Sequence, residues 1–586
     1  MERHAQLDAS CRPGHRLALA RFQRLRLVAL SIALLWFGLR AAAQCGPGSA
    51  GDARVRALYD QHKWDEVIAA AEQISPRSAD EDFESGMALA HLQRWDEART
   101  ALILGHRACP KQKRFPVELA GVAFQQKKYP EAARWIQNGL RLDPHDEYAN
   151  DFAGTIFLLR GNLDAALKYW NRIQKPQINA LNIDPRIHVQ RLLLERAFVF
   201  SPQAEMRRPD FEGSEARLDG LGVFPAYNIR LDARQDGKFD AEFHAMERDG
   251  FGDGWVQSLV SVFSGLPYET IYPSYFNIGG SATNFDALVR WDAQKRRAWL
   301  SLSWPSHSLP QWRSQISVDG RDENWAIRNA FTGTAPELGS FKLKREVAVG
   351  TVTSIHSARF GWTLGAEISH RTYSKVIEGS ALTAELAAPG YVLKHVASLH
   401  AMLLHVPEHR FTLDATAGSE FARMWSSPPH LFEKLEGGAT AHWLSPAEEE
   451  KYEFMQRLRG GGIAGTTPVD EMWMIGVERD NDLWLRGHIG TRDGKKGSSP
   501  IADRYFLSNT DFDRSLWGNG LIRVKAGPWL DVARASAPTS GLAVRHWLVD
   551  AGVEVKLSVL GTGVVLTYGR DLRTRNNAFY GSALQK

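Results

Sequence analysis

The side chains able to do chemistry in this chain of 586 residues are scattered rather than grouped. A hydrolytic zinc site needs two histidines one helical turn apart with a glutamate between them, and no H-E-x-x-H occurs. Neither a C-x-x-C pair nor a G-x-S-x-G turn is present, so no thiol redox centre and no nucleophile elbow is encoded. The stretch from Gly490 to Lys495 has the glycines and lysine of a phosphate-cradling loop at the wrong spacing, and Gly497 follows Lys496 where a Ser or Thr is needed. The 19 histidines are dispersed, which suits solvated or interfacial roles better than ligation. The reading is of a protein that is not an enzyme, with no cofactor and no metal. Cys11, Cys45 and Cys109 are too few for a disulfide framework; a Cys45–Cys109 bridge and two separate thiols both fit.

The apolar run from Leu27 to Leu39 follows Arg16, Arg21, Arg24 and Arg26 and precedes Ala41-Ala42-Ala43-Gln44. A basic flank, a short apolar run and a small-x-small end predict a signal peptide over 1–43, cleaved after Ala43. A single membrane anchor is the competing reading, opposed by the shortness of the run and by Arg40 close behind it. Gln44 before Cys45 does not complete a lipoprotein signal. Beyond residue 45 no run reaches the roughly 18 apolar residues a spanning helix needs. A net charge of +4 from nearly balanced acids and bases gives no reason to expect a nucleic-acid partner.

Downstream, Trp64-Asp65-Glu66, Trp95-Asp96-Glu97-Ala98, Tyr129-Pro130-Glu131-Ala132 and Leu163-Asp164-Ala165-Ala166 recur at spacings of 31, 34 and 34. Pro110 and Pro144 each fall 12 residues after the turn alanine, where a second helix must stop. This resembles the tetratricopeptide family over 52–176, an α-solenoid whose surface holds a protein partner in the region of Trp64, Trp95 and Tyr129, or serves only as a spacer. Over 186–249, Leu218-x-x-Leu221-Gly222-x-Phe224 ends a helix. Two alternating strands then follow, one with Ile229 and Leu231, the other with Phe239, Ala241, Phe243 and Ala245. The segment looks like a polypeptide-transport-associated (POTRA) domain, which implies either a strand edge for an extended client or a structural collar.

From Gly254 the pattern becomes period two. Phe360, Trp362, Leu364, Ala366 and Ile368 alternate with polar or small residues, as do Phe411 to Ala417 and Val549 to Leu557. One apolar and one polar face suit lipid outside and a wet lumen inside. Over 254–586, sixteen strands would each have about 21 residues with their connection, enough for spans of about 9–11. The fold class expected is α+β multidomain: α-solenoid, small α/β module, C-terminal antiparallel transmembrane β-barrel.

Near the C-terminus, Pro468-Val469-Asp470-Glu471-Met472-Trp473-Met474-Ile475-Gly476 leads to Leu485-Arg486-Gly487-His488, then to Asn509-Thr510-Asp511 and Gly527-Pro528-Trp529-Leu530-Asp531. This order resembles the BamA/TamA surface-antigen superfamily of outer-membrane assembly and secretion barrels. The resemblance implies a loop folded into the lumen, with Arg486 and Gly487 at its tip and Asp531 and Asp511 as partners. His488 stands where an aromatic is usual and Ala533 where the strand has glycine, and the chain does not end on an aromatic. The implied function is insertion or translocation of unfolded outer-membrane or secreted polypeptides from the bacterial outer membrane. The repeats would lie in the periplasm and contact periplasmic proteins, and the barrel would contact outer-membrane lipid. A passive channel with a periplasmic scaffold is the alternative, and a surface adhesin the third.

Overall fold

The computed structural model describes residues 50–583 except 253–264, 428, 447–450, 519–521, 543, 545 and 560–561. The expected signal peptide and Cys45 lie outside the described residues. The chain divides into two compact units, residues 1–159 and 160–586.

The described part of the first unit is helical: α1 (Ala50–Asp60), α2 (Trp64–Glu72), α3 (Ala79–His91), α4 (Trp95–Ala108), α5 (Arg114–Gln125), α6 (Tyr129–Leu142) and α7 (Glu147–Leu159). The sequence period reappears in the backbone. One residue of each turn takes a left-handed conformation, His62 at φ 57°, Gln93 at 59° and Lys127 at 58°, before Trp64, Trp95 and Tyr129 open α2, α4 and α6. Ser78 caps α3 reciprocally: its Oγ accepts from Glu81 N at 3.1 Å, while Ser78 N donates to the Glu81 carboxylate at 2.7 Å. Gly105 permits close helix packing, since a Cβ there would lie 2.3 Å from the Phe115 ring. Trp64 stacks on His91 with centroids 4.3 Å apart, Tyr129 meets Phe124 edge-on at 5.5 Å, and Trp95 packs on the buried core. At the three aromatics where partner binding was expected, the structure therefore supplies packing between helices. Cys109 is buried and disulfide-bonded.

The second unit opens with α8 (Leu163–Trp170), β1 (Ile178–Ile183), α9 (Arg191–Ala197), α10 (Arg208–Leu221), β2 (Ala226–Ala233) and β3 (Phe239–Met246). The sheet order is β1-β3-β2, with β1 parallel to β3 and β2 antiparallel to it. Phe198, Phe224 and Phe243 form its aromatic core, and Gly222 ends α10 at φ 69°. Two expected boundaries shift. The fourth repeat does not stay whole: Trp170 of α8 packs on Phe239 at 5.2 Å, so α8 belongs with the α/β module. The module starts at Ile178 rather than 186, because β1 is a six-residue strand interrupted by Asn179 and Asn182 that shows no clear alternation.

The remainder is a closed antiparallel barrel built from β4 (Thr270–Ile271), β5 (Ser274–Tyr275), β6 (Asn284–Trp291), β7 (Lys295–Pro305), β8 (Trp312–Arg328), β9 (Glu337–Ser357), β10 (Phe360–Ile377), β11 (Gly390–Val406), β12 (Phe411–Trp425), β13 (His430–Leu444) and β14 (Tyr452–Gly465), and then, after an inserted segment, β19 (Arg504–Gly518), β20 (Ile522–Ser536), β21 (Leu548–Val559), β22 (Thr562–Asp571) and β23 (Asn577–Ala583). The insertion carries β15 (Trp473–Met474), β16 (Thr491–Arg492), β17 (Lys495–Lys496) and β18 (Ile501–Ala502). Because β4 and β5 are two pieces of one line along β6, the described residues supply fifteen wall strands, against the sixteen expected; residues 253–264 lie outside the described residues. Several strands exceed the expected span, β9 reaching 21 residues, more than a tilted strand needs to cross hydrocarbon.

The alternation resolves as it reads. Leu364, Ile368 and Val553 are 45, 54 and 54% exposed on the outside, whereas Asp550 and Glu554 are 0 and 5% exposed within. Among the described residues no helix is long and apolar enough to cross a membrane.

Candidate functional site

The segment between β14 and β19 is an insertion into an unbroken wall, since β14 and β19 pair directly with each other from Tyr452–Arg514 to Gly462–Arg504. It is held inside by its own small ladder, β15 on β18, and by Lys496 pairing alongside Trp325 of β8. Its tip closes on itself: Val477 N donates to His488 O at 2.7 Å and Gly490 N to Val477 O at 2.9 Å. Leu483 and Leu485 anchor the tip in a buried apolar cluster with Trp473, Tyr505 and Leu507.

These constraints aim Arg486 at the wall. Its Nη2 donates to Asp531 Oδ1 at 2.7 Å and its Nε to Asp531 Oδ2 at 3.0 Å, the two-pronged geometry that suits a planar guanidinium. Its backbone N donates to the same carboxylate at 2.9 Å, and its Nη1 donates to Asp511 and, at 3.3 Å, to Glu554. Trp529 covers the guanidinium with its ring centre 4.3 Å away, a cation–π contact in a partly desolvated place. Gly487 N donates to Asp550 at 2.6 Å, and a Cβ at Gly487 would lie 2.6–2.9 Å from the atoms of that carboxyl. All four expected residues, Arg486, Gly487, Asp531 and Asp511, thus meet at one place in β19, β20 and the loop tip. His488 makes a polar contact here, its Nδ1 lying 2.9 Å from Asp550 Oδ2. Ala533 is fully buried beside this strand face.

Sequence reasoning missed Glu554, Asp550 and Trp529. Asp550 and Glu554 sit at inward positions of an alternating strand, but alternation alone does not say which of many lumen carboxylates an arginine will meet. Gly552 and Gly569 were a further signal: a Cβ at either would run into Trp529 at 2.6–2.9 Å, so they form the slot that holds its indole.

A second set of contacts pins the loop to the other wall, with the charges reversed in all but one of them. Loop Asp470 and Glu471 accept from Arg371 of β10 at 3.1 and 2.7 Å, and Glu471 also from Arg345 of β9 at 3.0 Å and Lys394 of β11 at 2.8 Å. Loop Glu478 accepts from Lys295 of β7 at 3.2 Å; Asp480 accepts from Arg290 of β6 at 3.1 Å and Arg297 of β7 at 2.6 Å. Loop Lys496 donates to Glu323 of β8 at 2.7 Å. Arg371, Glu471 and Asp480 are almost wholly buried, so each depends on its partners rather than on water. The wall from β6 to β11 is chiefly basic toward the loop and the wall from β19 to β21 acidic. Between loop and wall remains a cavity of about 590 Å³ lined by Thr363, Ser398, Thr416, Gly418 and Gly437.

Among the described residues one group has metal-ligand spacing, Asp164, Glu212 and His405, with ligand atoms within 4.8 Å of one another. Arg208 already pairs with both carboxylates, at 2.6 and 2.8 Å.

No family model matches the chain, and no curated protein matches it by sequence. Similar solved structures include BamA from Haemophilus ducreyi lacking POTRA domains 1–3, at 10% identity over 70% of this chain and 85% of that one, TM-score 0.40. CdiB from Escherichia coli aligns at 10% identity over 70% of this chain and 75% of that one, TM-score 0.44. The helical part aligns with MamA from Desulfovibrio magneticus RS-1 at 13% identity over 21% of this chain and 71% of that one, TM-score 0.20.

Proposed function

We propose that this chain is a bacterial outer-membrane barrel that receives unfolded polypeptides and inserts or translocates them. In this reading the helical repeats and the α/β module, a POTRA domain, face the periplasm and bind client or partner proteins, and the barrel face of Leu364, Ile368 and Val553 meets lipid. The protein is not an enzyme. The observation that carries the reading is the loop 466–503, folded into the lumen and clamped between walls of opposite charge by Arg486 on one side and Asp470, Glu471, Glu478 and Asp480 on the other. A passive pore gains nothing from filling its own lumen with buried charge, whose desolvation is costly and whose partners must all be supplied. A barrel that stays shut until a client arrives does.

Planar-bilayer recording separates the two readings. The wild-type chain should be mostly closed, and Arg486→Ala should raise the open fraction. Steady conductance of the wild type, unchanged by Arg486→Ala, is the result a passive channel gives.

A further inference from the structure

The two rims of the barrel are told apart by the α/β module. Arg313 Nη1, at the start of β8, donates to Gly220 O of α10 at 2.8 Å, and Asn162 donates to Pro407 O of the β11–β12 turn at 2.8 Å. Arg410 of that turn donates to Ser445 O at 3.0 Å, which puts the end of β13 on the module side as well. β14 therefore runs away from the module. Because each later strand is antiparallel to the one before, β19 starts, and β20 and β22 end, at the opposite rim.

On the arc from β19 to β23 the outer face is apolar in its middle, with Leu530, Val553 and Leu566 exposed, and the acids from Asp511 to Asp571 take inward positions. Its lysines, Lys525 and Lys556, also pair inward, with Glu453 and Asp513. At the rim far from the module the exposed positions carry arginine: Arg504 of β19, Arg534 of β20, Arg570 of β22, and Arg573 and Arg575 in the β22–β23 turn. Among the described residues none of these guanidinium groups has an ion-pair partner. Asp503 is the nearest acid in sequence, and it accepts from Ser536 at 3.3 Å. Leu572 N donates to Val549 O at 2.9 Å, which holds the arginine-bearing turn beside the start of β21. There Trp547 stands exposed, 5.6 Å from the Arg534 guanidinium and 6.0 Å from the exposed Phe506 ring. The other side of the barrel differs. Outward Arg296 of β7 stands opposite Asp322 of β8, which stands opposite Lys344 of β9 and pairs with Lys342 at 2.9 Å.

We propose that the far rim of the β19–β23 arc binds the phosphorylated glycolipid of the outer leaflet, lipid A, with its phosphoryl groups on the arginines and its acyl chains along the apolar face beside them. Like charges gathered on one arc without counter-charges repel one another, and an anionic headgroup removes that repulsion. The cations are arginines throughout, whose planar forks match phosphate oxygens in two-pronged pairs as an ammonium cannot. Basic residues at the edge of the hydrocarbon region attract anionic headgroups, and exposed aromatic rings such as Trp547 settle at the same level. The inference rests on the proposed placement of the barrel in an outer membrane with its module in the periplasm. It does not depend on what the barrel transports.

The test is native mass spectrometry of the full-length protein released from phosphatidylcholine nanodiscs that contain a small fraction of bisphosphorylated lipid A. The wild type should retain lipid A, and the combined Arg534→Gln, Arg570→Gln, Arg573→Gln and Arg575→Gln variant should retain about ten-fold less or lower still. Lipid A stripped of its phosphates should be retained no better than phosphatidylcholine, and raised salt should weaken retention because exposed charges are screened. Arg296→Gln with Lys344→Gln, on the other side, should leave retention unchanged. Should the fourfold variant lose its heat-dependent gel shift, Arg573→Gln with Arg575→Gln, which alters only a turn, takes its place with a loss in the same direction expected. Equal retention by wild type and arginine variant, an equal loss in the Arg296 and Lys344 variant, or equal retention of phosphorylated and stripped lipid A overturns the site. Equal retention of phosphatidylglycerol in place of lipid A overturns the glycolipid as its occupant. Recovery of the protein outside the outer-membrane fraction of its own cells would instead remove the placement on which the inference rests, so the two failures are read separately.

Discussion

Arg486 holds its charge in the lumen because three carboxylates and an indole replace the water it gives up, and Asp531 holds its own only while Arg486 is present. Replacing Arg486 with Ala strands Asp531, a cost on the order of 3–5 kcal/mol for a buried pair, whereas Asp531→Ala leaves Arg486 with Asp511 and Glu554 and should cost less. A double-mutant cycle read by heat-modifiability and urea unfolding should show the double variant much less damaged than the sum of the singles; strict additivity would mean the pair does not interact. Arg486→Lys should recover only part of the loss, because an ammonium cannot make the two-pronged contact. Arg371→Ala breaks the opposite attachment and shares no partner with Arg486, so those two losses should add within about 0.5 kcal/mol. Gly487→Ala should loosen the tip without removing any charge, since its Cβ displaces the Asp550 carboxyl; unaltered stability would show that Asp550 yields freely.

Among the elements, α8 carries an unexpected load. It has the sequence of a fourth repeat, yet Trp170 packs on Phe239 and Asp164 reaches His405. Removing residues 50–159 should therefore leave a heat-modifiable barrel with α10 still protected, while removing residues 50–176 should release α10. Equal α10 protection in the two truncations would return α8 to the repeats. The repeats were legible because Trp95 and Tyr129 recur at the period that stacking imposes, and the barrel because Leu364 and Glu367 must face different solvents. β1 was not, being short and interrupted by two asparagines. Nor was the break at residue 159, since repeat period records local helix pairing and not which neighbour a helix finally packs on. At the candidate site Arg486 and Asp531 were accessible through the motif order. Glu554 and the basic wall of Arg345, Arg371 and Lys394 were not, because lumen partners depend on strand register around the barrel, which period-two alternation leaves open.

Taken as a whole, the second unit is a barrel whose inner walls carry opposite charge toward a loop that bridges them, with a module tied to one rim. Such pairs are poorly screened when buried, so moderate salt should leave the closed state intact while loss of a single partner opens it. That arrangement makes sense for a barrel that must be opened by what it handles. Whether the barrel handles polypeptides can be read by depleting the protein from its own cells and quantifying outer-membrane and secreted polypeptides, with crosslinking of the intact protein followed by mass spectrometry. A defined set of them should accumulate unassembled in the periplasm, the same set should crosslink to the repeats and the α/β module, and the Arg486→Ala chain should fail to restore assembly. Normal assembly and secretion after depletion, with no polypeptide crosslinked to the module, would contradict it.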